Sequence, residues 1–79
     1  MLRLQNAQKI VGTKQVSRAI AAGEVKIVYL ATDADVFVTR RVYDLCRENK
    51  IQVVEVASMK ALGEACGVEV KAACAAIRR

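Results

Sequence analysis

The chain has no histidine and only three aromatic residues, Tyr29, Phe37 and Tyr43. Without histidine the commonest general base is missing, and so are zinc motifs that pair cysteine with histidine. The three cysteines, Cys46, Cys66 and Cys74, have spacings that fit no zinc motif. Their odd number argues against a disulfide framework; small buried apolar residues are the reading they fit. With so few rings the core must be built from Val, Ile, Leu and Ala, which suit closely packed helix-on-sheet layers. No apolar run approaches the roughly 20 residues that span a bilayer. The opening Met-Leu-Arg-Leu-Gln-Asn lacks the apolar core of a signal peptide, so a cytoplasmic protein is expected. No catalytic, cofactor or metal site is expected.

Acidic residues are also scarce, eight against thirteen Lys and Arg, giving a net charge of +5 and a pI near 9.5. That excess fits a nucleic-acid partner. At 54% hydrophobic residues the chain is too apolar to be disordered. Its 79 residues are enough for one small domain, taken as residues 1–79. No internal repeat, linker or low-complexity segment interrupts it.

The stretch Gly12-Thr13-Lys14-Gln15-Val16-Ser17-Arg18 reads as a strand ending at a glycine and a helix starting at once. Thr13 is the expected N-cap. Lys14 and Gln15 then fall in the first turn, and Arg18 one turn later on the side of Lys14. Free amides and the positive dipole end at such a start suit phosphate. Lys and Gln are also side chains that bond base edges.

The remaining pattern predicts a short helix over 2–8, an extended Lys9–Gly12, and a helix over 14–22. In that helix Val16, Ala19 and Ile20 face inward, and Gly23 forms the left-handed end. Val25–Ala31 reads as a central strand covered on both faces. Asp33 or Asp35 caps a helix over 36–49 whose apolar stripe is Val38, Val42, Leu45 and Cys46. Ile51–Val56 is a strand, and Ser58 caps a helix ending before Gly67. Within it, Gly63 costs about 1 kcal/mol against Ala and suits a close approach to the sheet. Residues 67–71 read as a loop and 72–77 as a last strand. Alternation of this kind predicts an α/β sandwich with helices on both faces. In the loop, Val68, Glu69 and Val70 allow two readings: an apolar tip that covers an unstacked base, or the start of the last strand with both valines inward.

Three segments carry a resemblance that spans Lys9 to Ile77: G-T-K-Q-V-S-R-A-I at 12–20, A-T-D-A-D at 31–35, and S-M-K-A-L-G-E-A-C-G-V-E-V-K-A-A at 58–73. The chain resembles the kink-turn RNA-binding ribosomal proteins (the L-seven-Ae and L-thirty-e superfamily), in their small bacterial branch. The resemblance implies a three-layer α-β-α sandwich around a four-stranded mixed sheet. It implies a partner too: structured RNA bent at a kink-turn and stacked on tandem sheared G·A pairs, with ribosomal RNA among the candidates. By the same likeness Gly12, Thr13, Lys14 and Gln15 enter the widened major groove and read those guanines. Arg18 stands where the family usually has Lys and reaches phosphate or a guanine edge. Lys60 matches a backbone-contacting position, and Asp35 lies near one that touches the extruded base in some relatives. Val68, Glu69 and Val70 match the apolar loop that packs on the bulge. Lys71 departs from the pattern, standing where many relatives have proline, and adds a charge within reach of phosphate.

Physical chemistry agrees with that likeness. A-form RNA hides its bases in a deep, narrow major groove, so readout needs a distorted site. A protein that binds the kinked state better than the extended one stabilises the bend. The phosphate loop of nucleotide hydrolases requires a longer glycine-bracketed turn before Lys-Ser/Thr, and it is absent. The alternative is a protein-interaction module anchored by Phe37 and Tyr43. No apolar stripe is left over for a partner helix, so a monomer is expected.

Overall fold

The computed structural model describes residues 9–67 and 72–79. Among them the order is β1 (Lys9–Val11), α1 (Thr13–Ala21), β2 (Val25–Ala31), α2 (Val36–Glu48), β3 (Gln52–Val56), α3 (Met59–Cys66) and β4 (Cys74–Arg78). The helix expected over 2–8 and the loop residues 68–71 lie outside the described residues. Several boundaries differ from the sequence pattern. The last strand starts at Cys74 and runs through Arg78, β3 starts at Gln52, α1 spans Thr13–Ala21 and α2 ends at Glu48. All are shifts of one or two residues, where end fraying and alternating side chains leave little signal.

The strands form one sheet in the order β1-β4-β2-β3. β2 and β3 are parallel, while β4 is antiparallel to both β1 and β2. The near-continuous apolar run of β2 thus takes an interior position, as a strand buried on both faces must. β3 is an edge strand, with Gln52 and Glu55 exposed, and the charge of Glu55 is of the kind that blunts a free edge.

Alternation along β2 and β4 divides the core in two. Val28, Leu30, Cys74 and Ala76 pack with Val16, Ile20, Val42 and Cys46 of α1 and α2. Ala31 and Ala75, with half-buried Tyr29 and Ile77 beside them, pack with Leu62 and Cys66 of α3. The molecule is therefore a three-layer α-β-α sandwich around a four-stranded mixed sheet, α1 and α2 on one face and α3 on the other. The small side chains of β4 let both layers lie close. Gly63 is buried in α3, on the helix that carries Leu62 and Cys66 inward.

Helix C-termini follow local rules. Gly23 takes φ +72° after α1; its amide bonds to Ile20 O and that of Glu24 to Ala19 O, both at 3.0 Å, the paired closure of a Schellman motif. The same closure ends α2, where Lys50 and Ile51 donate to Arg47 O and Cys46 O at 3.3 and 2.9 Å. There the left-handed position is held by Lys50 at φ +56°. Lys9 Nζ donates to Cys66 O at the end of α3, a cation placed on the negative helix end.

β1, β2 and β3 all run in one direction, and each feeds a helix at its C-terminal end. The N-termini of α1, α2 and α3 therefore open at the same edge of the sheet. Backbone bonds tie that edge together: Gly12 N to Cys74 O at 3.1 Å, Ala31 N to Ala73 O at 2.9 Å and Thr32 N to Val56 O at 2.8 Å.

Candidate nucleic-acid interface

At this edge α1 starts differently from its neighbours. The sequence pattern made Thr13 the cap. In the structure Gly12 holds the N-cap position, at φ 107° and ψ 141°, and no side chain among the described residues caps the helix. Thr13 is the first helical residue, and its hydroxyl accepts a weak bond from Cys74 Sγ at 3.7 Å. The reason is backbone geometry. The strand-to-helix reversal needs a positive φ at position 12, which glycine adopts freely, so the helix begins one residue earlier than a threonine cap would allow. Gly12 and Thr13 are half-buried, while Lys14, Gln15 and Arg18 are exposed. Val16, Ala19 and Ile20 on the opposite side are buried, which fixes the outward direction of the three polar residues.

The other two N-termini are capped by carboxylates or a hydroxyl. Asp35 Oδ1 accepts from Phe37 N at 2.8 Å. Ser58 Oγ accepts from Ala61 N at 3.0 Å, and Asp33 Oδ1 accepts from Met59 N at 2.7 Å. Of the two candidate caps for α2, Asp35 performs that role; Asp33 crosses to α3. Asp35 is thus exposed but engaged with its own helix. Lys60 is exposed in the first turn of α3. Val68, Glu69, Val70 and Lys71 lie outside the described residues.

Charge at the helix starts runs against the ordinary preference. None of the three helices has an acidic residue in its first turn. Lys14 and Lys60 sit there instead, where the dipole favours anions. Departures from a local rule gather at functional sites. The start of α1, with Gly12 as its cap, keeps free amides beside Lys14 and suits a phosphate, while the carboxylates of Asp35 and Asp33 occupy the starts of α2 and α3.

Two features here carry little local signal in the sequence. Asp33 ties the loop before α2 to the start of α3 through a bond spanning 26 residues, beyond any periodicity. Phe37 is 82% and Val36 65% exposed at the start of α2; the only hint is that Phe37 falls off the stripe of Val38, Val42 and Leu45.

The cysteines are buried and unbridged. Burial pushes the Cys46 thiol up to about 11, and neighbouring Cys74 adds to the rise. Burial also raises Cys66, against the pull of the Lys9 ammonium, and Cys74, against its hydrogen bond with Thr13. All three stay protonated near neutrality, which removes them as nucleophiles. Among the described residues no group of three His, Cys, Asp or Glu side chains could hold a metal ion. No described helix is long and apolar enough to cross a membrane.

Similarity to known proteins spans nearly the whole chain. A protein of Bacillus pumilus named RNA-binding protein is 43% identical over 76 residues, 95% of this chain and 93% of that one. RNA-binding protein YbxF of Geobacillus stearothermophilus is 42% identical, covering 96% and 93%. Among solved structures, the Giardia lamblia 15.5kD RNA binding protein superposes with a TM-score of 0.85 at 26% identity, over 91% of this chain and 61% of that one. A Bacillus halodurans protein described as of unknown function gives a TM-score of 0.83 at 28% identity, over 91% and 72%. Residues 2–79 match the family described as ribosomal protein L7Ae/L30e/S12e/Gadd45, and the chain belongs to that family.

Proposed function

We propose that the whole chain, residues 1–79, is one RNA-binding domain that recognises kink-turns through their tandem sheared G·A pairs and stabilises the bend. The uncapped start of α1 carries this reading: it presents Lys14, Gln15 and Arg18 outward from a rigid strand-to-helix junction. Lys14 and Gln15 read guanine edges, and Gly12 and Thr13 let the backbone approach. Arg18, Lys60 and Lys71 hold phosphates, while Val68, Glu69 and Val70 cover the bulge. Asp35 lies beside the extruded base. Phosphate contacts position the RNA and base contacts specify it. The names of the Bacillus and Geobacillus relatives support an RNA partner. The protein acts as a cytoplasmic monomer associated with ribosomal or other structured RNA, binding without reacting.

The test is titration calorimetry against a standard kink-turn at moderate salt, beside a control whose two sheared G·A pairs are replaced by Watson–Crick pairs. At least about tenfold tighter binding to the kink-turn is expected, a difference of about 1.4 kcal/mol. Equal, salt-sensitive binding to both would reduce the site to a basic surface. A protein-interaction module is the second reading, favoured by the exposure of Phe37 and Tyr43. Failure to bind either RNA would select it.

A further inference from the structure

A groove of about 230 Å³ lies between α2 and the edge of the sheet at β3, lined by Leu30, Ala31, Thr32, Thr39, Arg40, Tyr43 and Glu55. It shares no residue with those assigned to RNA above. Clefts for drug-sized ligands run roughly 300–1,000 Å³, so this one has room for a single base. Its polar groups differ in kind. Arg40 supplies a cation, Glu55 a carboxylate, and Tyr43, 47% exposed, an aromatic face. Among the described residues the one ion pair is Arg78–Glu24, so Arg40 and Glu55 are not spent on each other. Among the described residues neither these two nor Tyr43 has a side-chain hydrogen-bond partner. The hydroxyls of Thr32 and Thr39 donate to Ala57 O and Val36 O, at 3.0 and 3.2 Å, which leaves their oxygens as acceptors toward the groove.

We propose that this groove holds an unpaired guanosine of the bound RNA. The inference rests on the RNA-binding reading above. An unstacked base is recognised by an aromatic face and by bonds to its Watson–Crick edge. Guanine alone among the four bases offers two adjacent donors there, N1–H and the N2 amine, to one carboxylate. Glu55 accepts both, the Tyr43 ring stacks on the base, and Arg40 takes the 5′-phosphate as a planar, always charged donor. Adenine meets the same carboxylate with an acceptor at N1 and is refused. Ala31 and Thr32 belong to the edge where the three helices start, so one RNA strand leaving the kink reaches the groove without leaving the protein surface.

Titration of the full chain with 5′-GMP, 5′-IMP and 5′-AMP, followed by amide chemical shifts, tests the groove by itself. GMP is expected to move the resonances of Leu30–Thr32, Thr39–Tyr43 and Glu55 and to bind at least about fivefold more tightly than AMP. IMP, which lacks the N2 amine, should fall between them. Glu55→Gln should erase the preference while leaving the spectrum otherwise folded, because Glu55 is exposed. In a second arm, a kink-turn with one unpaired guanosine beyond the kink should bind more tightly than its adenosine counterpart, and Glu55→Gln should remove that gain. Kink-turn binding without GMP shifts at the groove overturns the guanosine site and leaves the function standing. Groove shifts with no RNA binding overturn the RNA source of the base and the proposed function together.

Discussion

Gln15 and Arg18 project from one helix turn, yet they are expected to do different work. An amide offers a donor and an acceptor to a base edge and loses value when the edge changes. A guanidinium on phosphate is indifferent to sequence. Gln15→Ala should therefore cost roughly 1–3 kcal/mol on a kink-turn and almost nothing on a plain duplex. Arg18→Ala should weaken both RNAs alike and reduce the slope of log K against log salt by about 1. Calorimetry at three salt concentrations separates the two; equal losses for Gln15→Ala on both RNAs would end the division of labour. Lys50 is a residue of another sort. It occupies a left-handed turn at φ +56°, where a Cβ costs roughly 1–2 kcal/mol. Lys50→Gly relieves that strain but frees the unfolded chain, which returns about 0.4–1 kcal/mol. A net gain of about 0.5 kcal/mol is expected in urea unfolding, with kink-turn affinity unchanged because Lys50 follows the C-terminal end of α2, at the opposite edge of the sheet from the helix starts.

At the scale of the element, the start of α3 is held twice, by Ser58 and by Asp33. The two oxygens satisfy different amides, those of Ala61 and Met59, so their contributions should add. Ser58→Ala and Asp33→Ala are each expected to cost about 1 kcal/mol and the double variant about the sum, measured by urea midpoints at constant slope. A strongly sub-additive double would mean that one cap substitutes for the other. The pair also marks what was legible. Ser58 stands immediately before its helix, and local pattern finds such a cap. Asp33 stands in the loop before α2, and a local reading can only offer it to that helix. Its true partner is set by the parallel pairing of β2 with β3, which brings the two loops side by side. Thr13 failed for a related reason. Gly12 and Thr13 are both acceptable caps, and only the positive φ that the β1-to-α1 reversal imposes decides between them.

Across the whole molecule the sequence was more informative, because the two-sided burial of β2 and the small residues of β4 leave few alternatives to helices on both faces. The edge where the helices start was legible in part. Lys14, Gln15 and Arg18 were readable from helix periodicity, but the convergence of three helix starts follows from strand order, and neither charge nor spacing encodes that. The same two-layer core carries a consequence for pH. With almost no aromatic residues inside, the interior includes three thiols: Cys46 on the inner face of α2, Cys74 on β4 in the same layer, and Cys66 at the end of α3 in the other. Cys46 is pushed from 9.0 to about 11 by burial and by Cys74. A thiol whose folded value lies above its unfolded one holds its proton more tightly in the native state. The stability it lends is complete below about pH 9 and is lost as pH climbs toward 11. From Cys46 alone the loss should be on the order of 2 kcal/mol by pH 11. The informative quantity is a difference, which cancels whatever else changes with pH: urea unfolding at pH 7.5 and 10.5 for the parent and for Cys46→Ala. The variant should start less stable, from the lost sulfur packing, and fall less steeply with pH. Parallel decline of the two proteins would show that the thiol ionises without opening the core.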